Sequence, residues 1–540
     1  SEGLSQLMDA IQQSEYGDRV LGFALACLTD GRWARPNSFD TSAHNVAAFR
    51  DWLRAQYNSD DALRAAWGDA QVSLASATVP ERPDTVNTQT VFAVLPAQQR
   101  LCDYLQFVSA ETASAIADFS NVVRGRGGDA FQTFALYGAS FETLNNDSGH
   151  LALESLLDAP LNGFITPVSY VDRGLGGAGG FMGPVDSARL HGKWWYLVDD
   201  TRTGLVRDPV SGQITRMAGL RAEDVYNVQA RNFAAALTHQ LGLVWLDAAG
   251  DGQLLEPEMW KRFQTMAGAY AAAYGGGGYA RADTPRTVYD IRPGVNPVLV
   301  VAVDEMSRCY QVCDVPLNEL LLLQARDAAS RSGTVTQFCL LSDVIEGRAP
   351  AAAVYLFVNA FRVTEQQRGK LHALLERQGA TAIWLYAPGY FSDGGSSVDN
   401  IAALTRLPVK AFEGVAKSGS RNQLEGRWIM EGAEFGPSRE WNPLFYIEGE
   451  NVNSVATYRD SSKTSVAIAA FESGWKSIYI AEPYLTPGLL RELLQVVEQR
   501  VYYRKNTLKN DVTYIGPNIF ALHAAERGER VVDLGWPFSV

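Results

Sequence analysis

Residues 16–26 read YGDRVLGFALA, and this stretch sets the pattern for the first half of the chain. The polar residues Tyr16 to Arg19 lead into an apolar run, Val20 to Ala26, which predicts a β-strand. Farther along, residues 42–57 carry apolar side chains at helical spacing, which predicts an amphipathic helix. A strand followed by a helix is the repeating unit of parallel α/β proteins.

The same alternation continues to about residue 280. Further strand-like runs cover residues 130–137, 161–168, 194–198 and 243–247, and helical patterns cover residues 97–124 and 222–241. Strands that alternate with helices favour a parallel sheet, because each helix carries the chain back to the start of the next strand. We therefore expect residues 1–280 to form a partial or distorted TIM-like βα barrel.

Two more regions follow a Gly-rich and polar linker at residues 275–296. Strand-like runs near residues 298–303, 337–341, 354–358 and 382–386 alternate with helices, which predicts a doubly wound α/β domain over residues 297–412. It has no glycine fingerprint of a dinucleotide site after a strand. From residue 415 to 540, short alternating runs separated by Gly, Asn and Pro predict a β-rich C-terminal region.

Composition excludes several classes of function. The formal net charge of −13 over 540 residues argues against a nucleic-acid partner. No stretch approaches the roughly 20 continuous apolar residues of a membrane helix. The odd set of five cysteines predicts neither a disulfide framework nor a metal site, and we expect no cofactor. The compartment stays open, because a bacterial-type cytoplasmic protein and an exported one both fit.

Several stretches resemble bacterial glycoside hydrolases related to the family 42 β-galactosidases. They occur in the same order as in that family over nearly the whole chain: residues 16–23 (YGDRVLGF), 49–57 (FRDWLRAQY), 62–68 (ALRAAWG), 148–150 (SGH), 169–173 (SYVDR), 191–193 (HGK), 199–203 (DDTRT), 355–361 (YLFVNAF) and 384–389 (WLYAPG).

The resemblance implies a βα barrel with its site at the carboxyl ends of the strands, and an α/β domain that supports trimerisation. A carbohydrate and a homo-oligomeric partner, by analogy a trimer, are therefore expected. Members of the family have about three βα units before a strand like the one at Val20. An eight-unit barrel needs roughly 200 residues or more. We therefore expect an N-terminally truncated chain or a reduced barrel.

The chain departs from the family at both catalytic positions. A retaining glycosidase uses two carboxyl groups about 5–5.5 Å apart, one as acid/base and one as nucleophile. The resemblance aligns the acid/base glutamate with Arg32, in Thr29 to Trp33, and the nucleophile with Val198. A guanidinium stays protonated at neutral pH, and valine has no nucleophile. We therefore regard Arg32 and Val198 as degenerate catalytic positions and name no confident catalytic residue.

Other carboxylates could replace the missing glutamates. Asp30 lies two residues before Arg32, and Glu142 and Asp172 follow predicted strands. Asp199 follows Val198 but should face away from it, because side chains alternate along a strand. Asp30 and Glu142 are the fallback catalytic pair, although pocket hydrogen bonds or loop salt bridges would equally explain such residues.

A set of aromatic and polar residues could bind a sugar, because aromatic faces stack on sugar rings and Arg and His bind hydroxyl groups. These candidate substrate-binding residues are Trp33, His150, Tyr170, Arg173, His191, Trp195 and Trp245. They fit three hypotheses: a carbohydrate-binding pseudoenzyme, an active retaining glycoside hydrolase with relocated carboxylates, and a non-catalytic assembly subunit. Binding of a galactoside without turnover would separate the first from the second.

Overall fold

The computed structural model describes residues 2–532, apart from several gaps. These gaps are residues 37, 82–89, 129–130, 144, 208–210, 218, 275–297, 313–315, 427–428, 451, 500, 503–509 and 517–518. The predicted linker at residues 275–296 lies outside the described residues. None of the helices in the described ranges is both long and apolar enough to cross a membrane.

The first half of the chain alternates helices with strands. Its strands are β1 Gly22–Leu25, β2 Gln132–Ala135, β3 Gly163–Pro167, β4 Trp194–Asp199, β5 Leu205–Arg207, β6 Ile214–Arg216 and β7 Gly242–Trp245. Its helices are α1 Glu2–Gln12, α2 Ala43–Tyr57, α3 Asp60–Trp67, α4 Gln99–Gly127, α5 Leu153–Leu157, α6 Val185–Leu190, α7 Ala222–Thr238 and α8 Pro257–Tyr274. The five longer strands predicted from the sequence are confirmed, with ends that differ by a few residues.

Five of these strands form one parallel sheet in the order β1-β2-β3-β4-β7, and β5 and β6 form a separate hairpin. One face of the sheet packs against helices: Thr133 in β2 hydrogen-bonds Ser120 of α4, and Asp199 in β4 hydrogen-bonds Asn232 of α7. Along β4, the residues of this face are buried and the alternate residues, including Val198, are only partly buried. The sheet therefore has a helix-covered face and a more open one.

The second half of the chain contributes the remaining elements. Its strands are β8 Leu299–Val303, β9 Thr336–Leu340, β10 Val354–Phe357, β11 Thr381–Leu385, β12 Phe391–Ser392, β13 Gly395–Ser396, β14 Val409–Ala411, β15 Ala416–Lys417, β16 Ser420–Asn422, β17 Glu434–Phe435, β18 Glu440–Trp441, β19 Phe445–Ile447, β20 Asn453–Tyr458, β21 Thr464–Ala470, β22 Lys476–Ile480, β23 Val512–Gly516 and β24 Ile519–His523. Its helices are α9 Pro316–Asn318, α10 Gln324–Ser330, α11 Leu341–Ile345, α12 Glu365–Gln378, α13 Val398–Thr405 and α14 Pro487–Val496, with a π-helical segment, Glu319–Leu323, between α9 and α10.

Most of these strands belong to one mixed sheet of eleven strands, ordered β17-β16-β20-β21-β22-β11-β10-β8-β9, with β19 and β14 attached at β21. The strands β8 to β11 are parallel, as the α/β prediction requires, and β22 joins them in parallel beside β11. The sheet thus runs across the predicted boundary near residue 412. The α/β region and the β-rich C-terminal region both exist, while their division into separate domains stays a prediction.

Side chains of the first half cover the edge of this second sheet. The backbone N–H groups of Phe338 and Leu340, in the edge strand β9, donate to Asp186 and Ser187 of α6 at 2.8 and 2.7 Å. An edge strand exposes unpaired backbone groups, and here α6 satisfies two of them. This contact fixes the two halves relative to each other.

Candidate active site

A cluster of four polar side chains joins the carboxyl ends of three strands of the first sheet. Tyr170 and Arg173 follow β3, Asp200 follows β4, and Arg32 lies in the loop after β1. The Tyr170 hydroxyl donates to Asp200 Oδ2 at 2.9 Å, and Arg173 Nη2 donates to Asp200 Oδ1 at 2.7 Å. Arg32 Nη2 donates to the Tyr170 hydroxyl at 3.3 Å. The parallel strands thus bring four chemically active groups together.

Two guanidinium groups lie close to the ring of Tyr170. The guanidinium carbon of Arg173 is 4.5 Å from the ring centroid, and that of Arg32 is 5.4 Å away. Partial burial and the hydrogen bond to Asp200 raise the pKa of Tyr170, because both disfavour the phenolate. Tyr170 nevertheless stays 43% exposed, so a ligand can reach this side chain. The cluster has the groups to bind sugar hydroxyls and to stack on a sugar ring.

The alternation along β4 places its last residues as the sequence predicts. Asp199 is buried, accepts hydrogen bonds from Asn232 and the Thr201 backbone, and has a pKa raised by burial. Val198 belongs to the opposite face of the strand, away from α7. Asp200, two residues after Val198, carries the polar chemistry at this strand end. Sequence reasoning did not single out Asp200, although the same alternation could have identified it.

Glu142, one of the two fallback carboxylates, is held by protein groups. Its Oε1 forms an ion pair of 2.8 Å with Arg326 of α10, and it also accepts a hydrogen bond from the Ser169 hydroxyl. Its Oε2 accepts the backbone N–H of Tyr170 at 3.0 Å. Tyr170 thus binds Glu142 through its backbone and Asp200 through its hydroxyl, which places the two carboxylates at opposite ends of one tyrosine.

The other candidate carboxylates have different surroundings. Asp30 is exposed, in a left-handed backbone conformation with φ of 52°. Asp172 also has a positive φ, of 54°, and its Oδ2 accepts from the Ala178 backbone and from Arg331 at 2.8 and 2.7 Å. Asp172 is therefore part of a salt bridge between the two halves of the chain. Neither residue has a contact with the cluster around Tyr170 among the interactions of the described residues.

The three candidate tryptophans make packing contacts. Trp33 is 4% exposed, donates its indole N–H to the Leu25 carbonyl and packs against Phe119 of α4. Trp195 is 2% exposed and donates to Thr166 at 2.9 Å. Trp245 stacks on Phe263 of α8 with 3.8 Å between the ring centroids. A sugar-binding role for these three residues stays a prediction, and their observed contacts are with the protein.

Of the two candidate histidines, His150 lies beside Arg32 of the cluster, and both contact residues outside it. His150 stacks on Tyr137 at 4.6 Å, and burial lowers its pKa to about 4. His191 lies between Asp158 and Asp343 of α11, with ring nitrogens 3.2 and 2.8 Å from their carboxylates. The hydrogen bond to Asp343 raises the pKa of His191. His191 therefore links the first half of the chain to the second sheet.

Of the seven predicted binding residues, the structure brings Tyr170 and Arg173 together and adds Arg32 and Asp200. Arg326, which holds Glu142, is about 180 positions away in sequence, and no local signal identifies such a partner. Within the described ranges, no three His, Cys, Asp or Glu side chains are placed to hold a metal ion.

Comparison with known proteins supports the fold. The sequence matches no protein-family profile, and no curated protein sequence matches it significantly.

Three solved β-galactosidases superpose on nearly the whole chain. That of Bacillus circulans sp. alkalophilus is 12% identical, with a TM-score of 0.62, over 95% of this chain and 73% of its own. That of the psychrophilic Marinomonas ef1 is 12% identical, with a TM-score of 0.62, over 97% and 77%. That of the Antarctic haloarchaeon Halorubrum lacusprofundi is 14% identical, with a TM-score of 0.60, over 95% and 74%.

The chain therefore has a β-galactosidase-like glycoside hydrolase fold. At such low identity the likeness concerns the fold alone.

Proposed function

We propose that the chain binds a carbohydrate at the cluster of Arg32, Tyr170, Arg173 and Asp200 and does not hydrolyse glycosides. The cluster lies where the parallel strands of the first sheet end, which is the side where barrel enzymes of this architecture hold their substrates. We further propose that the five-stranded sheet is part of a distorted or incomplete βα barrel.

The observation that carries the proposal is the direct contact between Arg32 and Tyr170. The family resemblance aligns Arg32 with the acid/base position. Its guanidinium binds the tyrosine that binds Asp200. A guanidinium cannot donate a proton to a leaving group at neutral pH. It does bind hydroxyl groups well, so this substitution favours binding over catalysis.

The contacts of Glu142 also support binding without hydrolysis. A general acid needs a carboxyl group that holds a proton near neutral pH and reaches the substrate oxygen. Glu142 is ion-paired with Arg326 and accepts two further hydrogen bonds, so both of its carboxylate oxygens are already bound by protein groups. This arrangement suits a structural carboxylate.

Two measurements test the proposal. Saturation-transfer NMR with galactose should detect binding, and an aryl β-galactoside should be hydrolysed no faster than in buffer. Turnover that disappears in Asp30→Asn, with unchanged thermal stability, would establish the alternative of an enzyme with relocated carboxylates. Absence of both binding and turnover would favour a purely structural role.

A further inference from the structure

A cavity of about 660 Å³ lies between the two halves of the chain, apart from the cluster around Tyr170. Its floor is formed by residues that follow β8 and β9, including Asp304, Glu305 and Ser342. Its walls come from α2, α4 and α5 of the first half, with Trp52 and Glu154 among them. None of Arg32, Tyr170, Arg173, Asp200 and Glu142 lines it. The volume lies within the range of about 300–1,000 Å³ typical of small-molecule sites.

The strand order of the second sheet places the cavity where open α/β sheets commonly bind ligands. In the order β11-β10-β8-β9, the chain leaves β8 toward β9 on one side and leaves β10 toward β11 on the other. Ligands of open α/β sheets bind at the carboxyl ends of two such neighbouring strands. Asp304, after β8, and Arg362, after β10, both line the cavity. The side chain of Asn359, also after β10, joins these strand ends by hydrogen bonds of 2.9 and 2.6 Å to the Asp304 backbone.

The floor of the cavity has unused hydrogen-bonding capacity. Glu305 is 3% exposed, and its Oε2 accepts the backbone N–H of Leu153 at 3.2 Å. Its Oε1 and the hydroxyl of Ser342 have no hydrogen-bond partner among the described residues. The Ser140 hydroxyl lies near Glu305 without completing a hydrogen bond. Buried polar groups normally have partners, so such unpaired atoms beside a cavity point to a ligand that supplies them.

The charged side chains that line the cavity indicate which class of ligand it binds. Asp304, Glu154 and Asp158 contribute carboxylates, and Arg362 contributes the opposing cation. Burial raises the pKa of Asp304 to about 6, which leaves it ionised at neutral pH. Asp103 is already occupied, because Tyr57, Trp67 and Gln99 all donate to it. The carboxylates and the amide side chains of Gln56 and Gln106 suit a ligand with both positive charge and hydroxyl groups.

We propose that this cavity binds a small hydroxylated amine of the amino-sugar class. Its ammonium group pairs with Asp304 at the end of β8, and its hydroxyl groups hydrogen-bond Glu305, Ser342 and the amide side chains. The half-buried ring of Trp52 forms one wall. This site is independent of the carbohydrate cluster at the first sheet, and either can exist without the other.

Titration calorimetry of the full chain with galactosamine tests the proposal, with galactose and N-acetylgalactosamine as probes that lack the charge. Galactosamine should bind saturably and at least about tenfold more tightly than either neutral sugar, because a charge-assisted hydrogen bond contributes about 1.5 kcal/mol or more. Equal affinity for all three sugars, or no saturable binding of galactosamine, would overturn it.

Three variants localise the binding. Asp304→Asn should weaken galactosamine binding about tenfold, and Glu154→Gln, on the accessible side of the cavity, should weaken it by a smaller factor without affecting the fold. Glu448→Gln, which changes an exposed residue outside both sites, should leave it unchanged. Thermal denaturation confirms that each variant is folded. Galactosamine binding that survives both carboxylate changes would place the amine elsewhere and refute the proposal.

Discussion

Arg326 and Glu142 form an ion pair of 2.8 Å in which the arginine side chain is 4% exposed and the glutamate side chain is 10% exposed. Arg326 belongs to α10 of the second half, and Glu142 to the loop after β2 of the first. The loop is also held by Arg308, which donates to the carbonyls of Ser140 and Thr143 at 2.9 and 2.7 Å. The second half of the chain therefore shapes the candidate site in the first.

We predict that Glu142→Gln destabilises the protein by about 3 kcal/mol, because removing one partner of a buried pair leaves the other charge uncompensated. Urea denaturation followed by fluorescence measures this. Glu448→Gln, which breaks the exposed pair with Lys463, is the matched control and should cost less than about 1 kcal/mol. Equal effects of the two variants would show that the Arg326 pair has no special structural role.

Tyr170→Phe should weaken galactose binding several-fold with little change in stability. The substitution removes the hydroxyl that connects Arg32 to Asp200, while the ring remains available for stacking. Because the tyrosine is 43% exposed, loss of this hydroxyl should change the free energy of unfolding by no more than about 1 kcal/mol. NMR titration with galactose gives the affinity. Unchanged affinity in a folded variant would remove Tyr170 from the site.

Wild-type protein should not hydrolyse aryl β-galactosides above the buffer rate, and Arg32→Glu combined with Val198→Glu should gain slight activity. The double change restores a carboxyl group at each position where the resembling enzymes carry one. A chromogenic assay compares the double variant with each single variant, which should stay inactive because both groups are needed. Robust turnover by the wild type would contradict the assignment of Arg32 and Val198.

Stability should fall on acidification through His150. Burial lowers its pKa to about 4 in the folded chain from an ordinary value of 6.5, so the unfolded chain takes up the proton first. The neutral His150 makes its full contribution to the free energy of unfolding above pH 6.5. This contribution is lost as the pH falls to about 4, which lowers the free energy of unfolding by about 3 kcal/mol. His150→Phe, which keeps an aromatic ring on Tyr137, should lose less stability over this interval than the wild type. The exposed His44→Gln is the control and should follow the wild type.

The protein should associate with itself, by analogy as a trimer. The motivation is the α/β region, which supports trimerisation in the family that the sequence resembles. Light scattering at micromolar concentration should give a mass near three times the 59.0 kDa of one chain. A mass of 59.0 kDa that persists at higher concentration would refute self-association.

The strands and most helices could be predicted from the sequence, because their signals are local. Apolar runs such as Val20 to Ala26 and Leu299 to Val303 indicate strands wherever they lie, and helix periodicity at residues 42–57 or 222–241 needs no tertiary partner. Burial is not local in this way, since Leu299–Val303 is buried whereas Leu21, just before β1, is 79% exposed. The alternation along β4 likewise placed Asp199 on the face opposite Val198. The order of these elements was enough to indicate the fold class.

Pairings between distant segments needed the tertiary structure. Nothing near Lys476–Ile480 indicates that this strand joins the parallel strands beside β11. From the sequence alone, Trp33 and Trp195 suit a sugar pocket as well as Tyr170 does. The two tryptophans are buried because segments distant in sequence pack against them.

The sequence by itself determined the longer strands and the parallel βα organisation. The assignment of Arg32 and Val198 to the two catalytic positions follows from the family resemblance and stays a prediction. Only the tertiary structure decided that Arg32 reaches Tyr170, that Arg326 holds Glu142, and that a cavity opens at the ends of β8 and β9. The physical reason is that hydrophobic periodicity depends on residues that are close in sequence. These ion pairs and hydrogen bonds, like the cavity, form between side chains that folding brings together from positions more than one hundred residues apart.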